Sequence, residues 1–133
     1  MNVKTEQEML DLGRGFAKKL TRPAVIELIG DVGAGKTTFV RGLAEGLGVT
    51  EPVTSPSFMI SKTYALPDGG KLVHYDFYRL KEPGLMMEDF TENLEDPNTV
   101  VVVEWGESVA DLLPKDHIRI MINYTEEGRE VII

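Results

Sequence analysis

Gly30-Asp31-Val32-Gly33-Ala34-Gly35-Lys36-Thr37 is a complete G-x-x-x-x-G-K-[ST] run, and what flanks it decides the fold. The apolar residues Val25, Ile26, Leu28 and Ile29 precede it as a strand would, and Phe39, Val40, Leu43, Ala44 and Leu47 follow at helical spacing. A strand, a glycine-rich turn and a helix are the setting in which this pattern binds phosphate. Gly30 and Gly35 let the backbone wrap closely and turn successive N–H groups towards an anion. Lys36 adds a point charge for β- and γ-phosphates, and the hydroxyl of Thr37 is placed to ligate Mg²⁺. The helix that opens near Lys36 aims its positive end at the same spot. A glycine-rich turn with no ligand would also match the letters, but the flanking strand and helix favour a nucleoside-triphosphate site.

Composition narrows the class. The chain has 133 residues, read as one domain over 1–133, with 42% hydrophobic and 27% charged residues. It carries no cysteine, which excludes a disulfide framework, a thiolate nucleophile and cysteine-ligated zinc. No apolar run is long enough to cross a bilayer, and Met1 to Glu6 lacks the features of a signal or transit peptide, so a cytoplasmic protein is expected. The net charge of −8 argues against an autonomous nucleic-acid binder and suits docking on a basic protein surface.

Outward from the loop, the elements alternate. Thr5-Glu6-Gln7-Glu8 fits a capping box for a helix carrying Met9, Leu12, Phe16 and Leu20, ended by Thr21-Arg22-Pro23. The first strand is predicted over Ala24–Ile29, and the second helix ends near Leu47 with Gly48 past its end. Strands over about Phe58–Ala65 and Leu72–Tyr78, joined by Pro67-Asp68-Gly69-Gly70, should form an antiparallel hairpin. A short helix is expected from Pro83 to about Leu94, and Val100–Val103 reads as a strand buried on both faces. A brief helix at Ser108–Leu113 and two strands at 118–122 and 131–133 complete an α/β pattern. The expected fold is a small P-loop NTPase fold, a mostly parallel sheet flanked by helices with an antiparallel hairpin portion.

Other chemistry-bearing residues gather around the strand ends. Glu104 follows the four valines, where it either helps hold Mg²⁺ or is simply the first solvated residue. In His74-Tyr75-Asp76-Phe77-Tyr78-Arg79, Asp76 is a candidate for orienting the attacking water or approaching Mg²⁺. His74 and Asp76 share one strand face, and Arg79 is a candidate for neutralising phosphate charge. Ser55 and Ser57 flank Pro56 in a loop that is either a γ-phosphate sensor or a plain turn. Trp105 reads as a packing residue beside the site, with an adenine platform as the alternative.

Taken in order, G-D-x-G-A-G-K-T-T, T-S-P-[ST]-F, H-x-D-x-Y-R and E-W resemble the TsaE family of small P-loop ATPases in bacterial tRNA threonylcarbamoyladenosine biosynthesis. The resemblance spans Thr5 to Trp105, and the chain's length fits a whole family member. It implies an Mg²⁺-dependent ATPase binding ATP and ADP, slow alone, that works with TsaB and with the transferase TsaD and meets tRNA only through that complex. Carried over by position, Gly33, Ala34, Gly35, Lys36, Thr37 and Thr38 would cradle phosphates, with Thr37 and Glu104 on Mg²⁺. Lys36 and Asp76 would serve hydrolysis, Thr54–Phe58 would be the switch-like loop, and Thr5 would lie near the adenine. Ser57 stands where the family usually has Thr, which keeps the hydroxyl, and Gly84 to Asn98 matches loosely.

Two other functions fit the same loop. A small-molecule kinase would need an acceptor pocket and an arginine-rich lid, and this chain has no such lid segment. A binding module would use ATP to stabilise an interface without turnover. No Asn-Lys-x-Asp block is present to read guanine, which favours ATP.

Overall fold

Apolar strands without alternation need cover on both faces, and this chain supplies it by wrapping helices around one sheet. The computed structural model describes residues 1–31, 33–54, 56, 60–78, 84 and 87–133. In chain order the elements are β1 (Asn2–Val3), α1 (Glu6–Lys19), β2 (Ala24–Ile29), α2 (Lys36–Leu47), β3 (Ser61–Ala65) and β4 (Lys71–Asp76). Then come α3 (Met87–Glu95), β5 (Thr99–Glu104), a 3-10 helix over Gly106–Leu112, β6 (Ile118–Thr125) and β7 (Gly128–Ile132). The strands form one seven-stranded sheet in the order β1-β7-β6-β2-β5-β4-β3. The central neighbours β6, β2, β5 and β4 run parallel, while β3, β7 and β1 add antiparallel strands at the two edges.

Parity along the strands sorts the core into two layers. Ile26, Leu28, Val102 and Ile120 meet Met9, Ala17, Phe39 and Leu43 of α1 and α2 on one face. Val25, Val73, Tyr75, Val101 and Val103 meet Phe90 of α3, Val109 of the 3-10 helix and Leu113 on the other. All six residues of β5 are buried, as a central strand covered on both sides must be.

Local signals set the ends of these elements. The Thr5 hydroxyl accepts from the Glu8 N–H at 3.1 Å, and the Glu8 carboxylate reaches back to the Lys4 N–H at 2.6 Å. The expected capping box thus forms with its return bond shifted by one residue. α2 ends on Gly48, left-handed at φ 96°, whose N–H returns to the Ala44 and Glu45 carbonyls. α1 and α2 lie so close that a Cβ on Gly42 would collide with the Leu10 carbonyl, and one on Gly13 with that of Phe39. Glycines at these contacts let two backbones approach where any larger residue would hold them apart.

Several predicted boundaries moved. The strand expected from Phe58 begins at Ser61, because Ile60 takes a left-handed φ of 66° and donates its N–H to the Pro56 carbonyl at 2.8 Å. The next strand stops at Asp76, where the Phe77 N–H turns to the Glu104 carbonyl at 3.1 Å. The brief helix expected from Ser108 is a 3-10 helix that opens earlier, at Gly106. The start of the helix expected from Pro83 lies outside the described residues, as do Ser55, Ser57, Phe58 and Arg79. β1, two residues long, offers too little pattern to be seen in sequence. Among the described residues no helix is long and apolar enough to cross a membrane.

Candidate functional site

The glycine-rich loop leaves β2 at Ile29 and enters α2 at Lys36. Gly33 (φ 82°) and Gly35 (φ 106°) are both left-handed, a conformation that costs glycine nothing. The Ala34 N–H donates to the Asp31 carbonyl at 3.0 Å, and the Phe39 N–H to the Gly35 carbonyl at 2.9 Å, closing the first turn of α2. Lys36 is 6% exposed, and its ammonium folds back into the loop. It donates to the Gly30 carbonyl at 2.6 Å, stands 3.5 Å from Glu104 Oε1 and lies 4.4 Å above the centre of the Trp105 ring.

The acidic side of the site is carried by the ends of β4 and β5. Their register sets Asp76 opposite Glu104 and His74 opposite Val102, and strand parity turns His74, Asp76 and Glu104 to the face carrying α2. Glu104 is 4% exposed, and its Oε2 accepts a 2.5 Å hydrogen bond from Nε2 of the fully buried His74. A carboxylate only accepts, so Nε2 carries the proton, and Nδ1 of His74 has no partner among the described residues. Burial pushes the Glu104 carboxyl up, but the His74 hydrogen bond and the charges of His74 and Lys36 outweigh it and hold the group below its ordinary range. The half-buried Asp76 accepts from the Tyr78 N–H at 3.0 Å through Oδ1. Trp105 is left-handed at φ 57°, rare for a large side chain, and this turn sets its ring between Lys36 and Tyr78 at 4.8 Å.

On the other side of the loop lies a cleft of about 220 Å³, lined by Thr5, Met9, Gly33, Ala34, Gly35, Thr38 and Arg129 among others. The structure thus sets Thr5 beside the glycine-rich loop, with its hydroxyl already engaged in capping α1. Trp105 stands on the opposite flank, lining a small hollow with Gly30 and Lys36. Thr37 lies on a separate open groove with Arg41, Val53 and Thr54. Thr54, the first residue of the expected switch loop, is tied to β3: its N–H donates to the Tyr64 hydroxyl at 3.2 Å, and its own hydroxyl accepts from Lys62 at 3.0 Å.

Sequence reasoning missed the β6–β7 hairpin as part of the site. Arg129 donates through Nε to the Ala34 carbonyl at 3.1 Å, and its guanidinium stacks 4.2 Å from the Tyr124 ring. These contacts join residues far apart in the chain, and only the sheet order brings the tail beside the loop.

A strand, phosphate loop and helix on a parallel sheet, with an acidic residue closing the neighbouring strand, define a P-loop NTPase fold. Comparison with known proteins agrees: the crystal structure of Bacillus subtilis YdiB superposes with a TM-score of 0.76 at 33% identity, covering 98% of this chain and 79% of that one. Residues 3–131 match the family described as threonylcarbamoyl adenosine biosynthesis protein TsaE, and the chain belongs to that family. Proteins named tRNA threonylcarbamoyladenosine biosynthesis protein TsaE are similar along most of their length. One from Streptomyces coelicolor is 46% identical over 116 residues, covering 86% of this chain and 78% of the relative. One from Bacillus subtilis is 40% identical over 137 aligned residues, covering 98% and 80%.

Proposed function

We propose that this chain is the ATP-binding and ATP-hydrolysing component of bacterial tRNA threonylcarbamoyladenosine biosynthesis, acting as one domain over residues 1–133 in the cytoplasm. Its nucleotide state regulates or resets the transferase TsaD together with TsaB, and tRNA meets it through that complex. The observation that carries the reading is the contact of Lys36 with Glu104 at the mouth of the loop, 3.5 Å apart and both nearly buried. A cation for phosphate and an acidic oxygen donor for its metal stand side by side.

The donor set fits a hard divalent ion delivered with the nucleotide: one hydroxyl, Thr37, and one carboxylate, Glu104, both oxygen. Mg²⁺, when bound, neutralises charge on the β- and γ-phosphate oxygens. The chain's own residues do the remainder. Gly33 to Thr38 direct N–H groups and the α2 dipole at the phosphates, and Lys36 stabilises charge that develops on the leaving phosphates. Asp76, beside Glu104 on the same sheet face, orients the attacking water and accepts its proton. The cleft shared by Thr5 and Thr38 takes the adenosine end. Because positioning and charge are the main contribution, turnover is slow until TsaB and TsaD complete the site.

Phosphate release from Mg-ATP, by the chain alone and with TsaB and TsaD, tests this reading. Stimulation by the partners is expected, with Lys36→Ala and Asp76→Ala both losing it. Bound nucleotide without phosphate release would instead leave a binding module, and full turnover in either variant would remove that residue from the mechanism.

A further inference from the structure

The phosphate loop is gripped from outside by the carboxyl-terminal hairpin. The Arg129 Nε donates to the Ala34 carbonyl at 3.1 Å, Nη2 to the Gly33 carbonyl at 3.5 Å, and Nη1 to the Gly128 carbonyl at 3.1 Å. One face of its guanidinium lies against Tyr124, 4.2 Å from the ring centre. The Tyr124 hydroxyl would stand 2.7 Å from a Cβ on Gly33, so the hairpin also closes over the loop's first left-handed glycine. We infer that Arg129 is a positioning residue for polyphosphate binding, which it serves by setting the direction of the Ala34–Gly35 peptide. The inference rests on the nucleotide-site reading above and assigns part of that site's affinity to a residue outside the motif.

Peptide geometry links the Ala34 carbonyl to the Gly35 N–H. In a trans peptide the C=O and N–H point in opposite directions. With the Ala34 carbonyl drawn onto Arg129, the N–H of Gly35 is directed to the opposite side of the peptide. The Ala34 N–H is already bonded to the Asp31 carbonyl, so among these two peptides it is the Gly35 N–H that is left to direct. Glycine peptides rotate easily, and Gly33 and Gly35 flank Ala34, so the unit needs an external hold. A peptide turned the other way would present a carbonyl oxygen to the anion, replacing attraction with repulsion. Arginine suits the task because its planar fork reaches both loop carbonyls at once, and that of Gly128 besides, while its face stacks on an aromatic ring. Lysine has neither property.

Isothermal titration of the full chain with tripolyphosphate and with Mg-ADP tests this, using Arg129→Lys, Tyr124→Leu and Lys36→Ala. Tripolyphosphate has no base or sugar, so its binding reads the loop alone. Arg129→Lys, which keeps the charge and loses the fork, should weaken both probes by roughly tenfold, the worth of charge-assisted hydrogen bonds. Tyr124→Leu should shift both in the same direction by less, and serves if Arg129→Lys does not fold. Circular dichroism without ligand confirms that each titrated variant is folded, so that lost affinity is not lost structure. Tripolyphosphate affinity unchanged in Arg129→Lys overturns the inference, as does a loss confined to ADP, which would make Arg129 a wall of the nucleoside cleft. If Lys36→Ala binds both probes as tightly as the unaltered chain, or that chain binds neither, the nucleotide-site reading itself fails. Loss in Lys36→Ala with no change in Arg129→Lys removes only the inference.

Discussion

Both carboxylate oxygens of Glu104 are engaged, one 3.5 Å from Lys36 and the other 2.5 Å from His74. The long contact is the weaker one, so under the proposed function a bound phosphate would draw Lys36 away while His74 keeps its hold on the carboxylate. That division separates two substitutions. Glu104→Gln removes the charge but keeps an oxygen that accepts from His74, so the concentration of Mg²⁺ for half-maximal phosphate release should rise about tenfold. Its cost to stability should be small, because an amide is easier to bury than a carboxylate. His74→Ala should do the reverse first, leaving a buried carboxylate short of a donor and lowering stability by about 1–3 kcal/mol in urea unfolding without nucleotide. Equal losses of stability in the two variants would show that the pair does not divide its work this way. Glu104 was legible in sequence because an acidic residue directly follows a fully apolar strand. His74 could be assigned a face but not a partner, since that bond depends on the register of β4 against β5.

The helix pair beside the loop offers a sharper contrast within one fold. Gly42 sits in α2 where a Cβ would lie 2.2 Å from the Leu10 carbonyl, backbone against backbone. Gly15, on the exposed face of α1, has nothing within 4 Å of the same position. Gly42→Ala forces the helices apart and should cost about 1–3 kcal/mol. Gly15→Ala should stabilise by roughly 0.5–1 kcal/mol, because alanine loses less backbone entropy in a helix. Thermal midpoints moving in opposite directions would verify the pair, and a neutral Gly42→Ala would mean that the helices can slide. The β3–β4 turn carries a milder, pH-dependent tie: Asp68 accepts from Arg22 and from the Gly70 N–H, and the arginine bond, then the backbone bond, hold its carboxyl well below the usual range. A depressed carboxyl contributes stability above its unfolded pKa of about 3.9 and loses it as pH falls towards the folded value. Asp68→Asn should therefore narrow its stability gap to the unaltered chain as the solution is acidified through that range. The elements with strong helical periodicity, α1 and α2, or an apolar core run, β2 and β5, were readable with near-correct bounds. Those ended by backbone conformation were not, as at Ile60, where a β-branched residue adopts φ 66° and stops the strand.

Residues of the candidate site come from the start of α1, the loop before α2, the ends of β4 and β5, and the β6–β7 hairpin. No single stretch of chain supplies it, which is why the motif pointed to a candidate phosphate cradle while its surroundings stayed hidden until the sheet order was known. β1 completes the enclosure by pairing with β7, and the Met1 carbonyl accepts from the Val131 N–H at 2.8 Å. A ligand held by so many elements should act as a cross-link on the whole sheet. Binding to the folded chain alone adds RT ln(1 + [L]/Kd), so Mg-ADP at a hundred times its Kd should raise unfolding free energy by about 2.7 kcal/mol. Hydrogen exchange then shows how the effect is distributed. If the hairpin merely lies near the loop, ADP should slow amides of residues 33–38 and leave those of β6 and β7 unchanged. If the Arg129 bridge couples them, protection should reach β7 and its partner β1, on the sheet edge away from β3. Lys36→Ala should abolish both responses, whereas Arg129→Lys, at saturating ADP, should keep protection in the loop and lose it in the hairpin. Hairpin protection that persists in Arg129→Lys would transfer the coupling from that side chain to the parallel contact of β6 with β2.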